Sequence, residues 1–255
     1  MIQTHWPRTL TIVRHGQSAG NVARDAAIEA DIDRIDVLDR DADVPLSDLG
    51  RDQSRALGRW YSRRMPHDRP DILLASPYRR ACQTADLFRS AGGCGQDVDI
   101  CFDERLREKE FGILDGLTTT GIRSLEPQQA EFRRVLGKFY HRPPGGESWC
   151  DVILRLRSVM DTIALHHAQR HVMIFTHQVV VLCLRYIIEG MNEAEILEID
   201  HEADVANCAI TEYAFDESKG ARGGLSLKRY NVTAPVEQED TPVTRSPDAI
   251  AGARG

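Results

Sequence analysis

Leu10-Thr11-Ile12-Val13-Arg14-His15-Gly16-Gln17-Ser18-Ala19-Gly20-Asn21 opens as an apolar, β-branched run and stops abruptly at an arginine, a histidine and two glycines. Its first four residues have the character of a buried strand, and the glycines allow backbone geometry that a bulkier residue would resist. The Arg14-His15 pair is therefore delivered at a strand end. That is where an open α/β sheet places its ligand site, because backbone N–H groups and the N-terminus of the next helix face an anion there. Arg14 adds bidentate donors suited to phosphate oxygens. A histidine in this place is either a structural hydrogen-bonder or a chemical group, and the dipeptide alone does not separate the two.

The pattern recurs along the chain. Asp71-Ile72-Leu73-Leu74-Ala75 reads as a second strand, followed by Ser76-Pro77 and a helical run from about Arg79 to Ser90. Val98 to Phe102 is a weaker third strand. Val172-Met173-Ile174-Phe175 is a fourth, stopping at Thr176-His177 before an apolar helix from Val179 to Ile188. Strand, polar switch and helix thus occur at His15, at Ser76 to Arg80 and at His177. This alternation predicts an α/β fold, a three-layer α/β/α sandwich with a mostly parallel central sheet and these residues gathered at one edge. Ala209 to Phe215 and Leu225 to Tyr230 can pair as a hairpin.

Between the strands, Ser47 caps a helix running to about Arg64, and Pro66 ends it. Residues 117–142 are helical in composition without a strong pattern. They lead through Arg142-Pro143-Pro144-Gly145-Gly146-Glu147-Ser148 into an amphipathic helix whose capping box is Ser148 with Asp151. His166 and His167 close that helix, where a cationic or polar residue suits the dipole. Residues 22–45 hold seven aspartates and one glutamate. Asp39-Arg40-Asp41-Ala42-Asp43 has the start of a calcium loop, but Val44 and Gly50 stand where glycine and glutamate are required, so a solvated acidic loop is expected.

The 255 residues and 42% hydrophobic content suit a single large domain over residues 1–230, with a flexible Pro-, Thr- and acid-rich tail over 231–255. The net charge of -7 argues against broad nucleic-acid or anionic-membrane binding. No apolar run reaches transmembrane length and the N-terminus lacks a signal-peptide core, so a cytoplasmic location is expected. The six cysteines have no CxxC pair, and neither a disulfide frame nor a structural metal is expected.

Two histidines and two arginines at the strand ends of one sheet form a cationic cluster in an acidic protein, which a dianionic ligand such as phosphate would neutralise. At these residues the chain resembles the histidine phosphatases, the phosphoglycerate mutase-like superfamily. Arg14-His15-Gly16 matches the family signature, with Ser18 and Asn21 fitting its extended form. Ser76-Pro77-Tyr78-Arg79-Arg80-Ala81-Cys82-Gln83-Thr84-Ala85 resembles the segment carrying a second phosphate-binding arginine, which aligns on Arg80 with Arg79 as the fallback. Leu106-Arg107-Glu108, followed by Phe111-Gly112 and Gly116, resembles the proton-donor segment. Pro144-Gly145-Gly146-Glu147-Ser148 and Thr176-His177 match two further segments, although Gln178 stands where many members have glycine.

The resemblance implies a metal-independent phosphomonoesterase of the phosphatase branch, without a cofactor, acting on a phosphorylated small molecule. His15 is the implied nucleophile, forming a phosphohistidine that divides hydrolysis into two easier displacements. Arg14, Arg80, His177 and Asn21 are the implied phosphate clamp. Glu108 is the implied acid for the departing alkoxide and base for the attacking water. Glu147 could serve in its place, but a turn-and-cap role fits it better. A Cys-x5-Arg phosphate loop at Cys101 to Arg107 is rejected, because it lacks glycine and carries carboxylates that would repel phosphate. The alternatives are a bisphosphoglycerate-dependent phosphoglycerate mutase and, in another class, a non-catalytic phosphate-binding or scaffold protein. Neither nucleic acid nor membrane is expected as a partner, and the sequence leaves a homodimer open.

Overall fold

The computed structural model of the chain describes residues 5–246. Six strands form one sheet: β1 (Thr9–Arg14), β2 (Ile72–Ala75), β3 (Ile100–Phe102), β4 (His171–Thr176), β5 (Ile210–Asp216) and β6 (Gly224–Val232), in the order β3-β2-β4-β1-β5-β6. The first four positions run parallel, and the β5–β6 hairpin extends the sheet by antiparallel pairing of β5 with β1 and of β6 with β5. The helices are α1 (Ala19–Glu29), α2 (Asp48–Ser62), α3 (Arg79–Ser90), α4 (Thr119–Leu125), α5 (Pro127–Tyr140), α6 (Trp149–His166), α7 (Gln178–Glu189), α8 (Glu193–Glu202) and α9 (Ala234–Glu237).

Strand periodicity divides the core into two layers. Leu10, Ile12, Val172 and Ile174 face one cluster, completed by Val152, Leu156 and Val159 of α6, by Val180 and Leu184 of α7 and by Ile196 of α8. Val13, Leu73, Met173 and Phe175 face the other, with Leu57 and Tyr61 of α2, Phe88 of α3 and Val236 of α9. Burying both faces is why β4 reads as a continuous apolar run instead of an alternating one. The three-layer sandwich with its mostly parallel sheet is therefore as expected.

Three segments differ from expectation. Residues 22–45 are not a loop throughout: α1 occupies their first third, set by a reciprocal capping box between Ser18 and Asn21, and it buries Arg24 and Ala27. The density of aspartates obscured that helix. Second, α8 is absent from the expected elements, although its capping box of Asn192 with Glu195 is a local signal that the sequence carries. Third, the stretch after Asn231 is packed as far as the described residues go. Val236 is fully buried, the Trp60 indole donates to Gln238 at 2.8 Å, Arg59 pairs with Glu239 at 2.8 Å, and Gln53 donates to the Pro242 carbonyl at 2.9 Å. A flexible tail from 231 is thus corrected for residues 231–246. Its few apolar residues suggested disorder, but its polar groups have specific partners on α2. The rest of that expected tail, 247–255, lies outside the described residues. No helix among the described residues is long and apolar enough to cross a membrane.

Candidate active site

The carboxyl ends of β1, β2 and β4 lie side by side, with Arg14 opposite Thr176 and Ala75 opposite Phe175. Each then turns into a loop or helix that carries polar residues. His15 follows β1, and its backbone N–H donates to the Thr176 carbonyl at 2.9 Å. Behind it, the Gly16 N–H donates to Thr84 Oγ1 at 3.1 Å. The turn presses so closely onto the start of α2 that a Cβ on Gly50 would lie 1.9 Å from the Gln17 carbonyl oxygen. Glycine is needed at Gly16 for the same approach, since a Cβ there would fall 2.4 Å from the Gly50 oxygen.

His15, Arg14, Glu108 and His177 are fully buried and Arg80 is 2% exposed. His15 Nδ1 lies 2.6 Å from the Gly16 carbonyl oxygen, and the Arg80 Nε–H donates to His15 Nε2 at 3.2 Å. A carbonyl can only accept and a guanidinium only donate, so the proton sits on Nδ1 and Nε2 carries the lone pair. The His177 ring meets the His15 ring edge-on with centroids 5.2 Å apart, and His177 Nε2 is 2.8 Å from Ser76 Oγ. Tyr78 packs edge-on against His177 at 5.2 Å and beneath the Arg80 guanidinium at 5.1 Å. Burial, reinforced by the carboxylates of Glu110, Asp41 and Glu108, raises the Tyr78 phenol well above its ordinary pKa, which keeps it a neutral donor.

Arg14 donates to the carbonyls of Val205 and Ser246. Asn21 uses its amide oxygen to accept from the Ser18 backbone N–H at 2.9 Å and from its hydroxyl at 3.0 Å, so its first task is capping α1. Its Nδ2 points at the same Ser246 carbonyl, at 3.5 Å, which sets it beside Arg14. Arg80 binds the Asp41 carboxylate through both terminal nitrogens, at 2.9 and 3.0 Å, and also donates to the Asp41 carbonyl. Arg79, the fallback, instead donates to the Asp43 carbonyl at 3.4 Å from the surface.

Glu108 comes from a loop pinned at two points. Thr176 Oγ1 donates to the Leu106 carbonyl at 2.8 Å, and Arg155 of α6 donates to the carbonyls of Glu108, at 3.1 Å, and Arg105. Arg155 is itself held by Glu147 at 3.0 Å, which Arg107 also approaches at 2.9 Å. Burial would raise the Glu147 pKa, but the hydrogen bonds and charge of Arg155, helped by Arg107, outweigh it and hold the group below the ordinary glutamate range. Glu147 is thus a fixed anion bracing the loop, and not a proton carrier. Glu108 Oε1 accepts from the Lys109 backbone N–H at 2.7 Å.

Several participants carry no recognisable signal in the sequence. Asn207, fully buried ahead of β5, donates to the His15 carbonyl at 3.0 Å and accepts from Thr244 at 2.8 Å. Ser76 and Thr84 sit inside the quoted motif without a distinct signal of their own. Arg155 lies within α6, and nothing in its local sequence marks its reach to the Glu108 loop. Asp41 belongs to the stretch expected to be solvated, but it is the partner of a buried arginine.

The model of the histidine phosphatase superfamily (branch 1) matches residues 10–231. Among curated relatives, the 6-phosphofructo-2-kinase/fructose-2,6-bisphosphatase of Caenorhabditis elegans is 28% identical over 223 residues, covering 84% of this chain and 43% of that protein. The chain spans less than half the length of that relative. The probable phosphoglycerate mutase GpmB of Salmonella typhi is 27% identical over 235 residues, covering 91% of this chain and 94% of that one. Of solved structures, the alpha-ribazole phosphatase of Shigella flexneri superposes with a TM-score of 0.69 at 17% identity, covering 88% and 96%. A mycobacterial glucosyl-3-phosphoglycerate phosphatase complexed with VO3 gives 0.67 at 23% identity, covering 88% and 99%. Those two establish the shared fold, and the family match, which takes in β1 through most of β6, establishes the lineage: the chain belongs to branch 1 of the histidine phosphatase superfamily.

Proposed function

We propose that the chain is a metal-independent phosphomonoesterase that hydrolyses a small phosphorylated substrate through a phosphohistidine on His15. The observation that carries this reading is the hydrogen-bond arrangement of one imidazole: Nδ1 committed to the Gly16 carbonyl, and Nε2 basic and beside the Arg80 guanidinium. A neutral imidazole with its reactive lone pair among cationic donors is ready to meet a phosphorus atom whose oxygens those donors bind. In the first displacement the Nε2 lone pair forms the N–P bond as the ester P–O bond breaks. Arg14, Arg80 and His177 neutralise the equatorial oxygens. Glu108 gives its proton to the departing alkoxide, and Gly16 stabilises the Nδ1–H of the cationic phosphohistidine. In the second, Glu108 takes a proton from water as that oxygen attacks phosphorus, and the N–P bond breaks to release inorganic phosphate and neutral His15.

Mutase relatives make isomerisation the second reading. Incubation with 3-phosphoglycerate and 2,3-bisphosphoglycerate separates them: net phosphate release supports the hydrolase, and rapid isomerisation without release overturns it. Phosphate release from p-nitrophenyl phosphate in EDTA, present in wild type and absent in His15→Ala, tests the reading against a scaffold role. Equal inactivity of both from pH 4 to 8 would favour the scaffold. We assign the activity to the cytoplasm, consistent with cysteines that are free among the described residues.

A further inference from the structure

The Arg80 guanidinium presents its Nε edge to the nucleophile and its terminal edge to Asp41. A phosphoryl group on His15 Nε2 would draw on the Arg80 donors, and both terminal nitrogens are already held by Asp41, so Asp41 competes with phosphate oxygens for them. A carboxylate on a guanidinium is the nearest side-chain equivalent of a bound phosphate. Asp41 is about one-third exposed in a short helical turn over Asp41–Asp43, while Arg80 is buried, so the aspartate is the partner that can withdraw. Once displaced it stays at the mouth of the site as an unneutralised anion.

It is not alone there. Glu110 and Asp115 come from the loop that follows Glu108. Removal from water, then the charges of Asp41 and Glu110, raise the Asp115 pKa, and Arg80 opposes them. The Tyr78 phenol beneath Arg80 experiences Glu110 and Asp41 together. Asp41 is the acidic side chain that hydrogen bonds place against Arg80, and Glu110 and Asp115 add negative charge to the same surroundings.

We infer that Asp41 is both a built-in competitor for phosphate and a specificity-determining residue, and that it selects phosphomonoesters whose leaving group is uncharged or cationic over those bearing a carboxylate. This rests on the phosphomonoesterase reading and adds the substrate class. A polyol hydroxyl or an ammonium group would satisfy the displaced carboxylate, whereas a carboxylate on the substrate would meet like charge.

Glycerol 3-phosphate and 3-phosphoglycerate share a skeleton and differ in a hydroxymethyl against a carboxylate, which makes them the probe pair. Wild type is expected to favour glycerol 3-phosphate in kcat/KM by about tenfold, the size of a like-charge contact between its strength in bulk water and its strength near a protein surface. Asp41→Asn is expected to shrink that preference several-fold, through faster use of 3-phosphoglycerate, and to bind inorganic phosphate more tightly. Asp41→Glu is expected to stay near wild type. Asp115→Asn removes a nearby charge that has no hydrogen bond to Arg80 among the described contacts, so it shifts the preference in the same direction and raises phosphate affinity less than Asp41→Asn does. An unaltered preference and unaltered phosphate affinity in folded Asp41→Asn would overturn the inference. If wild type hydrolyses neither ester nor p-nitrophenyl phosphate, the phosphomonoesterase reading fails by itself. Calorimetric binding of inorganic phosphate then still decides Asp41: tighter binding in Asp41→Asn supports the competitor, and equal binding refutes it.

Discussion

At the scale of single residues, the chemistry depends on which group carries which proton. In the proposed reaction the nucleophile is His15, whose Nδ1 and Nε2 both have hydrogen-bond partners, and Glu108 is fully buried. If Glu108 supplies the leaving-group proton, its importance depends on the leaving group. Glu108→Gln is expected to lower kcat/KM for an alkyl phosphate by roughly 10²–10⁴-fold. The loss should be far smaller for p-nitrophenyl phosphate, whose phenolate departs without help. Equal losses on both substrates would remove Glu108 from that role. His15, Arg80 and His177 were legible because each follows an apolar run directly or within one turn, at the end of a buried strand where an α/β sheet meets its ligand. Asn21 was legible as a site neighbour, although its amide oxygen turned out to be engaged in the α1 cap. Asp41 was not legible, since nothing in a run of aspartates says which one will meet a buried arginine from a helix 39 residues away in the chain.

At the scale of elements, the loop that carries the proposed proton donor has no regular structure around Glu108 and takes its position from α6 and β4. Arg155 is the positioning residue, joining Glu147 to the Glu108 carbonyl. Arg155→Gln is expected to reduce kcat for alkyl phosphates by roughly 10–100-fold, the cost of displacing a catalytic group by about an ångström, with KM little changed. p-Nitrophenyl phosphate hydrolysis should again be spared, which a merely destabilised fold would not allow. A proportionate loss on both substrates would show Arg155 to be structural only. The helix and strand identities were largely readable because periodicity and caps are local signals, as at Ser47 and at Ser148 with Asp151. Bracing through Arg155 is a long-range contact and left no local trace.

At the scale of the whole molecule, the sheet carries buried polar groups whose ionisation couples folding to pH. His171 begins β4 at 2% exposure, with Nε2 2.9 Å from Thr11 Oγ1. Burial lowers its pKa to about 4, with Asp71 opposing and Arg8 and Arg64 adding to the fall. The folded chain keeps this histidine neutral down to that pH, while the unfolded chain protonates it near 6.5. Its contribution is therefore complete above about pH 6.5 and lost progressively as pH falls toward 4, by up to about 3 kcal/mol. Urea unfolding should show the stability loss between about pH 7 and 5 partly flattened in His171→Asn, which can still hydrogen-bond Thr11. An identical slope in both proteins would refute the assignment. The three-layer architecture was legible because strand–switch–helix alternation is a whole-chain pattern. The packing of 231–246 was not, since its order comes from α2 side chains and the Asn207 amide far away in sequence.

The most direct test of the central claim is intact-mass analysis, followed by fragment mapping, of enzyme quenched during turnover of a phosphomonoester under conditions that preserve acid-labile phosphoramidates. A single phosphoryl adduct on His15 is expected in wild type, with none in His15→Ala. An adduct on another side chain, or turnover with no covalent adduct on wild type, would contradict the account.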